Sequence, residues 1–258
     1  MKIFKMSVTI QFVEGLLGTL PSNPDIYREF KQPEDDEVDH LPELSEDDPK
    51  GVTVFPRTDE DEPFIYDYQL KGLFKEKCAF LRGVAGKDDD STASKGGPNL
   101  SSGFAAFKKK IDGLFFIEDR VNPIILPEGG EITLCQRPLR AETAKGPRVS
   151  LACSEEIPAG SICSFTVVVF NKKHMDLVKE WLEFGAVHGT GQWRNSGKGR
   201  FVADFGEIEE GEWDYDEYKV HAKRALKDLG IAWGLSEVEK AQAEPAPKRG
   251  RKKAAAEE

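Results

Sequence analysis

The alternation of hydrophobic and polar residues predicts a chain of mixed strands and helices. Residues 2–13 are apolar at every second position, which is typical of a half-buried strand. Residues 161–170 are apolar on both faces and predict a central strand. Apolar residues at helical spacing predict helices over 68–84, 100–114, 173–184 and 215–229. Shorter apolar runs between Pro and Gly residues predict strands over 114–117, 122–126, 131–135, 149–153 and 200–205.

The order of these elements favours an α+β fold, in which an antiparallel sheet is backed by helices. A ferredoxin-like or RRM-like core is the simplest arrangement with this order. We expect a single domain over residues 1–235, and the sequence contains no repeat at a fixed period. In the helix over 68–84, the charged residues, Lys77 among them, are expected on the solvent-facing side.

The acidic charge is concentrated near the N-terminus. The chain has a net charge of −10, and residues 1–62 alone carry 16 acidic and 6 basic residues. Most of the acidity lies in 33–50, whose composition cannot bury enough apolar surface to form a core. We therefore expect an acidic insertion or loop over 31–62. A different interpretation is that this segment imitates nucleic-acid phosphates and binds a protein partner.

The C-terminal 236–258 are rich in Ala, Glu, Pro and Lys and predict a disordered tail. The tail ends in a basic cluster, Lys248, Arg249, Arg251, Lys252 and Lys253. Such a cluster attracts phosphate backbones without sequence preference, or keeps the chain in solution.

Other classes of protein receive little support. No apolar run approaches the length of a membrane span and no signal-peptide pattern begins the chain, so we expect a cytoplasmic protein that does not bind membranes. The four cysteines form no CxxC pair, which argues against a zinc site or a disulfide scaffold. We expect no metal and no cofactor.

A glycine-rich segment over 189–201, with the sequence GTGQWRNSGKGRF, is the first candidate for function. It is not a Walker loop, because no Ser or Thr follows the Gly-Lys pair, and it is not a Rossmann turn, because a helix precedes it. Its glycines permit close approach of a polymer to the main chain, and its cations and indole suit phosphates and bases. The candidate residues are Gly189, Gly191, Trp193, Arg194, Gly197, Lys198, Gly199 and Arg200. A plain flexible hairpin is the alternative.

A second basic segment lies over 137–149 between two predicted strands. We expect a loop or hairpin that projects from the sheet. Arginine suits phosphate binding because its planar guanidinium matches phosphate oxygens and stacks on bases. The candidate phosphate ligands are Arg137, Arg140, Lys145 and Arg148. A surface loop that only aids solubility is the alternative.

Evidence for catalysis is sparse. His188 adjoins the glycine-rich segment and is the one candidate general base, although a structural role is favoured for it. No Ser or Cys nucleophile motif occurs. The residues favour a protein that is not an enzyme.

Several segments resemble known families. The helix, the pattern GxGx5GxGRF and the following strand resemble the glycine-rich loop of the RAMP superfamily, the ferredoxin-fold RNA-binding proteins of CRISPR effector complexes. An uncharacterised family from phages and prophages of Gram-positive bacteria is similar at IYDYQLKGLFKEKC (65–78), RPLRAETAKGPRVSLACSEEIPAG (137–160) and FGAVHGTGQWRNSGKGRF (184–201), and at GLLGTLP (15–21). The resemblance implies a sheet and glycine loop that hold single-stranded nucleic acid, with subunits stacked side by side along the strand.

The favoured hypothesis is a non-catalytic protein that binds single-stranded DNA or RNA and serves phage DNA replication or recombination. One alternative is a metal-independent endoribonuclease of the RAMP type that uses His188 as its base. The other is a phage protein that acts on host machinery through its acidic segment.

Overall fold

The computed structural model describes residues 1–22, 51–84, 97–143, 146–216 and 219–220. The side chains of 140–143, 148 and 150 are outside the description. Most of the predicted acidic insertion, all of the tail at 236–258 and most of the predicted helix over 215–229 also lie outside it. The chain divides into two compact units, one of Lys2–Gly211 and one of Met1 with Glu212–Glu258. The larger unit carries both candidate segments.

The strands in chain order are β1 (Lys2–Phe12), β2 (Leu16–Leu17), β3 (Leu20–Pro21), β4 (Thr53–Val54), β5 (Phe64–Tyr66), β6 (Phe115–Ile117), β7 (Val121–Ile125), β8 (Thr133–Thr143), β9 (Gly146–Ile157), β10 (Ile162–Val169), β11 (Phe201–Phe205) and β12 (Glu209–Glu212). The α-helices are α1 (Asp67–Val84), α2 (Phe107–Leu114), α3 (Lys173–Glu183) and α4 (Gly185–His188). Two short 3-10 helices cover Leu100–Gly103 and Arg194–Ser196.

The central sheet has the strand order β11-β1-β10-β7-β5, with β6 also paired to β10 and β12 to β1. Strand β1 is antiparallel to both of its long neighbours, β10 and β11. Along the chain the elements follow one another as β1, α1, β6 with β7, β10, α3 and β11. With the strand order β11-β1-β10-β7, this is the ferredoxin-like βαββαβ arrangement. The predicted α+β fold, an antiparallel sheet backed by helices, is confirmed.

One face of the central sheet forms the main core. The apolar positions of β1 that alternate in the sequence are all buried, as expected for a strand covered on one side. The helices supply large aromatic residues to the same core: Phe74 of α1 and Trp181 of α3 lie with ring centroids 5.7 Å apart. The opposite face of β1 and β10 carries the hydroxyls of Ser7, Thr9 and Ser164. This second face therefore presents small polar groups.

The predicted helix over 100–114 is wrong in its first half. Leu100–Gly103 is a 3-10 turn, and α2 begins only at Phe107. Ala106 between them has a left-handed φ of 52°, which interrupts the helix. The side chain of Asn99 accepts a hydrogen bond from the Ser102 amide at 2.9 Å and so favours a local turn over a helix.

The second sheet has the order β2-β9-β4-β3, with β8 paired to β9. Strands β8 and β9 form a long antiparallel hairpin, in register from Thr133 opposite Glu156 to Thr143 opposite Gly146. We call it the basic hairpin. It is longer than the predicted strands over 131–135 and 149–153, so Arg137, Arg140 and Arg148 lie in strands. The expected hairpin is present, and its strands extend beyond the basic segment over 137–149, from Thr133 to Ile157.

The segment that closes this sheet falls within the bounds of the predicted acidic insertion. Val52, Val54 and Phe55 are buried, with at most 5% of their surface exposed. The carboxylate of Glu155 accepts a hydrogen bond from the Phe55 amide at 2.8 Å and pairs with Arg57 at 2.6 Å. Residues 52–57 are thus packed against β9 and do not form a solvated loop.

Candidate functional site

The glycine loop, defined here as residues 189–200, connects α4 to β11. Backbone hydrogen bonds close its base: the Thr190 amide donates to the Gly199 carbonyl at 2.8 Å, and the Gly199 amide donates to the Gly15 carbonyl at 2.9 Å. The Val13 amide donates to the Arg200 carbonyl at 2.9 Å. The loop is therefore fixed to the C-terminal end of β1, beside the start of β11.

Two glycines of the loop occupy positions that other residues cannot enter. Gly189 and Gly199 have φ values of 65° and 68°, in the left-handed region. A Cβ atom at Gly189 would lie 2.6 Å from the Lys198 carbonyl oxygen. A Cβ at Gly199 would lie well under 3.0 Å from the carbonyl oxygen of Thr190. The close approach of the two ends of the loop requires both glycines.

Trp193 has a left-handed φ of 56° although it is not a glycine. This conformation is sparsely populated for a large side chain and persists only where surrounding contacts hold it. One such contact is with the guanidinium of Arg137, whose central carbon lies 5.7 Å from the centroid of the indole ring. The basic hairpin and the glycine loop therefore touch.

Arg137 holds the two segments together. It is only 4% exposed, donates to Ser154 Oγ at 3.1 Å and also donates to Gln192 Oε1. Gln192 in turn donates through Nε2 to the Gly18 carbonyl at 2.8 Å and to Thr53 Oγ1 at 3.0 Å. The guanidinium is thus engaged within the protein, and Arg137 positions the loop instead of presenting its charge to solvent.

Two of the three cations of the glycine loop have carboxylate partners. Arg194 pairs with Glu76 of α1 at 2.8 Å and donates to the Gly191 carbonyl at 2.7 Å. Lys198 pairs with Glu156 of β9. Arg200 is exposed and has no ion pair with a carboxylate among the residues that the structure describes. The loop therefore has less free positive charge than its sequence indicates.

The remaining predicted ligands lie nearer the tip of the basic hairpin. Arg140 is opposite Val149, and Arg148 is opposite Ala141, while Lys145 is outside the described residues. The side chains of Arg140 and Arg148 are likewise outside the description. Their places in the strands put both on the part of the hairpin beyond Arg137.

Lys77 of α1 lies inside the protein, against the expectation that it faces solvent. Its side chain is fully buried. Nζ donates to the Gly189 carbonyl and to Nδ1 of His188, the latter at 2.8 Å. Burial lowers the pKa of this ammonium to about 8, Glu76 opposes that shift and Arg194 adds to it. A buried ammonium thus holds the first residue of the glycine loop.

His188 fits a structural role. Its ring lies between Phe80, at 4.3 Å between centroids, and Phe184, which stacks on it at 5.6 Å. Burial and the nearby Lys77 ammonium lower its pKa. Nδ1 accepts the Lys77 hydrogen bond, so that nitrogen is not available to take a proton from a substrate.

A cleft of about 330 Å³ lies beside the glycine loop. Helix α1 contributes Gln69, Gly72 and Glu76 to its lining, and the glycine loop contributes Thr190 and Arg194. Apolar residues of the strands and of the segment after β4 also line it: Ile10, Leu16, Leu17, Phe55, Phe64 and Ile65. The sequence offers no motif for this cleft.

Sequence reasoning missed several residues at this site, among them Gly72, Glu76, Lys77 and Gln192. Gln192 lies inside the glycine-rich motif, and a conformation that points its amide inward has no sequence signal. The helical pattern predicts Glu76 and Lys77 as surface charges, because the residues that they contact lie more than 100 residues away in the chain.

The described parts of the chain show neither a group of three or more His, Cys, Asp or Glu side chains placed to hold a metal ion nor a helix long and apolar enough to cross a membrane.

Comparison with known proteins finds a weak similarity to a solved structure and no match to a family. No protein-family model and no curated protein matches the chain. A solved structure that is similar is the cryo-EM structure of the type III-B Cmr-β complex bound to its cognate target RNA, with a TM-score of 0.41 and 10% sequence identity. The match covers 81% of this chain and 61% of the other chain. The phage family predicted from the sequence stays a prediction.

Proposed function

We propose that this protein binds single-stranded nucleic acid, without cleaving it, in the cytoplasm of a bacterial host during phage DNA replication or recombination. The observation that carries this proposal is the contact between Arg137 and the glycine loop, at Gln192 and Trp193. That contact joins the two candidate segments, the basic hairpin and the glycine loop, into one surface.

The proposed surface uses three kinds of contact. Arg200, together with Arg140, Lys145 and Arg148 of the basic hairpin, binds phosphates. The glycines at the loop base allow a strand to approach the main chain. Trp193 is partly exposed and stacks on a base, while Arg137 holds the indole in place. Subunits that stack along one strand would extend the same surface.

Arg200 is the sharpest test of this surface. For the Arg200→Ala variant we expect weaker binding to labelled single-stranded oligonucleotides in fluorescence anisotropy. The slope of log affinity against log salt should fall by about 0.7, because one phosphate contact is lost. The same titrations with single-stranded DNA, single-stranded RNA and duplex establish which form is preferred.

The matched control is Lys109→Ala, which removes one exposed cation from α2. If both variants lose the same affinity and slope, the attraction is spread over the whole molecule and the proposed surface is wrong. Absence of binding by the unaltered protein at low salt contradicts the proposed function itself.

The ion pair between Lys198 and Glu156 gives a test in the opposite direction. Glu156→Gln removes the carboxylate and frees the Lys198 ammonium for a phosphate. We expect oligonucleotide affinity to rise about threefold at low salt, since a partly exposed pair of this kind is worth roughly 0.2–1 kcal/mol. Unchanged or weaker binding in the same anisotropy assay means that Lys198 does not face the strand.

The proposal does not extend to the two alternatives. Cleavage needs His188 as a base, and its Nδ1 is engaged by Lys77. The acidic segment that would bind host machinery lies, at 33–50, outside the described residues.

A further inference from the structure

The cleft between α1 and the glycine loop combines apolar walls with a few polar groups, which is the usual composition of a site for a small planar ligand. Its volume of about 330 Å³ lies near the lower end of the range for such sites, roughly 300–1,000 Å³. Leu70 and Leu73 of α1 and Leu16 of β2 are part of its apolar surface. This size suits a single ring system and excludes a folded peptide.

The polar groups of the cleft are held in fixed orientations. Gln69 Oε1 accepts from the Tyr66 amide at 2.9 Å, and Nε2 donates to Thr19 Oγ1 at 3.0 Å. The second N–H of the Gln69 amide has no hydrogen-bond partner among the described residues and remains for a ligand. Arg194 also lines the cleft and is held by Glu76 and by the Gly191 carbonyl. An amide and a guanidinium in an apolar cleft match the donors and acceptors on the edge of a nucleobase.

The cleft is continuous with the surface of the proposed function. Thr190, Gly191 and Arg194 line it and belong to the glycine loop. A strand that lies along the loop therefore passes the mouth of the cleft.

From this placement we propose that the cleft takes one unstacked nucleobase of the bound strand. The inference rests on the proposed function and adds to it a pocket that reads a single base between α1 and the glycine loop. Apolar walls supply the environment for the faces of the ring, and Gln69 and Arg194 contact its edge. The same chemistry would accept the base of a free nucleotide, so the test includes both sources.

Gly72 is a position at which a larger side chain can be introduced into this cleft. It is exposed, lies on α1 and lines the cleft, and a Cβ atom there would meet no atom within 4 Å. Gly72→Phe therefore places a ring at the mouth of the cleft without a clash with the backbone. Gly72→Ala adds only a methyl group and accounts for the gain in helix propensity. Gly83→Phe is the matched control, because Gly83 also lies on α1 with open space around its Cα but does not line the cleft.

The experiment measures the affinity of each variant for a single-stranded oligonucleotide and for the same backbone with abasic sites throughout. We expect Gly72→Phe to bind the intact strand about tenfold more weakly, in the range of one lost base contact. Gly72→Ala and Gly83→Phe should bind like the unaltered protein, and the abasic strand should not distinguish Gly72→Phe from it. Equal affinities of all variants for the intact strand overturn the inference, as does an equal loss on the abasic strand.

The experiment distinguishes failure of this inference from failure of the proposed function. If the unaltered protein binds the intact strand and Gly72→Phe binds equally well, only the cleft is wrong. If the unaltered protein binds no strand, the proposed function fails. In that case nucleoside monophosphates are titrated into the protein and tryptophan fluorescence is followed. A fluorescence change that Gly72→Phe abolishes supports the cleft as a site for a free base. No fluorescence change in the unaltered protein overturns the inference.

Discussion

Replacing Gly199 by alanine should lower the free energy of unfolding more than any other single change in the glycine loop. The φ of 68° alone costs an alanine roughly 1–2 kcal/mol. The added Cβ would also meet the carbonyl oxygen of Thr190 at well under 3.0 Å, in a backbone that hydrogen bonds hold on both sides. We expect a loss clearly above the φ cost, measured as the shift of the urea midpoint at an unchanged slope.

Gly129→Ala is the control for the conformational part of this loss. Gly129 has a φ of 70°, but a Cβ atom there would meet nothing within 4 Å. This variant should lose only about 1–2 kcal/mol, the cost of left-handed backbone without a clash. Equal losses in the two variants would mean that the loop base can open to admit a side chain.

The same pair tests whether the shape of the loop matters for binding. At a temperature where both variants stay folded, Gly199→Ala should bind single-stranded oligonucleotide at least about tenfold more weakly than Gly129→Ala, because the loop must open to relieve the clash. Normal binding by a folded Gly199→Ala variant would mean that the loop geometry plays no part in recognition.

The ferredoxin-like core could be predicted from the sequence because its strands are covered on one face. Burial of one face imposes the alternation seen in β1, and β10 is buried densely enough to read as a central strand. The glycine loop could be located for a similar reason. Only glycine tolerates the positive φ and close carbonyls found at Gly189 and Gly199, so the backbone leaves a mark in the sequence.

The length of the basic hairpin could not be predicted, because its outer part has no single buried face. Leu139, Val149 and Leu151 are exposed there, and polar residues lie on both sides of the strands. Hydrophobic periodicity therefore gives no signal beyond 135 and before 149. The strands are defined instead by their mutual pairing, which depends on residues on both sides of the turn.

The contacts of the site depend on residues distant in the chain. A charged residue on an amphipathic helix is usually solvated, so a helical pattern assigns Lys77 to the surface. Its burial follows from the docking of α4 and the glycine loop against α1, more than 100 residues further along the chain. Arg137 was expected to bind phosphate for the same reason: its partner Gln192 is brought to it only by the fold.

Lys77→Met should change how stability depends on pH. The Lys77 pKa is about 8 in the folded protein against an ordinary value of 10.5, with burial as the main cause. Below pH 8 the ammonium is charged in both states, and its burial lowers stability in full. Between pH 8 and 10.5 the folded protein has released the proton while the unfolded chain retains it, so the unaltered protein gains stability as pH rises.

The measured quantity is the difference in unfolding free energy between the unaltered protein and Lys77→Met, from urea titrations at several pH values. This difference should move in favour of the unaltered protein from pH 8 upward, with a slope of at most about 1.4 kcal/mol per pH unit, the effect of one proton. Taking the difference cancels groups that both proteins share, such as the buried Cys163 thiol, whose pKa is raised to about 12 by burial. Parallel stability curves for the two proteins contradict the buried ammonium, because they mean that Lys77 titrates alike in the folded and unfolded states. A rise of this difference with pH instead shows that the titrating group is the Lys77 Nζ. The same Nζ donates to the Gly189 carbonyl, so one proton then couples the stability to the group that holds the glycine loop.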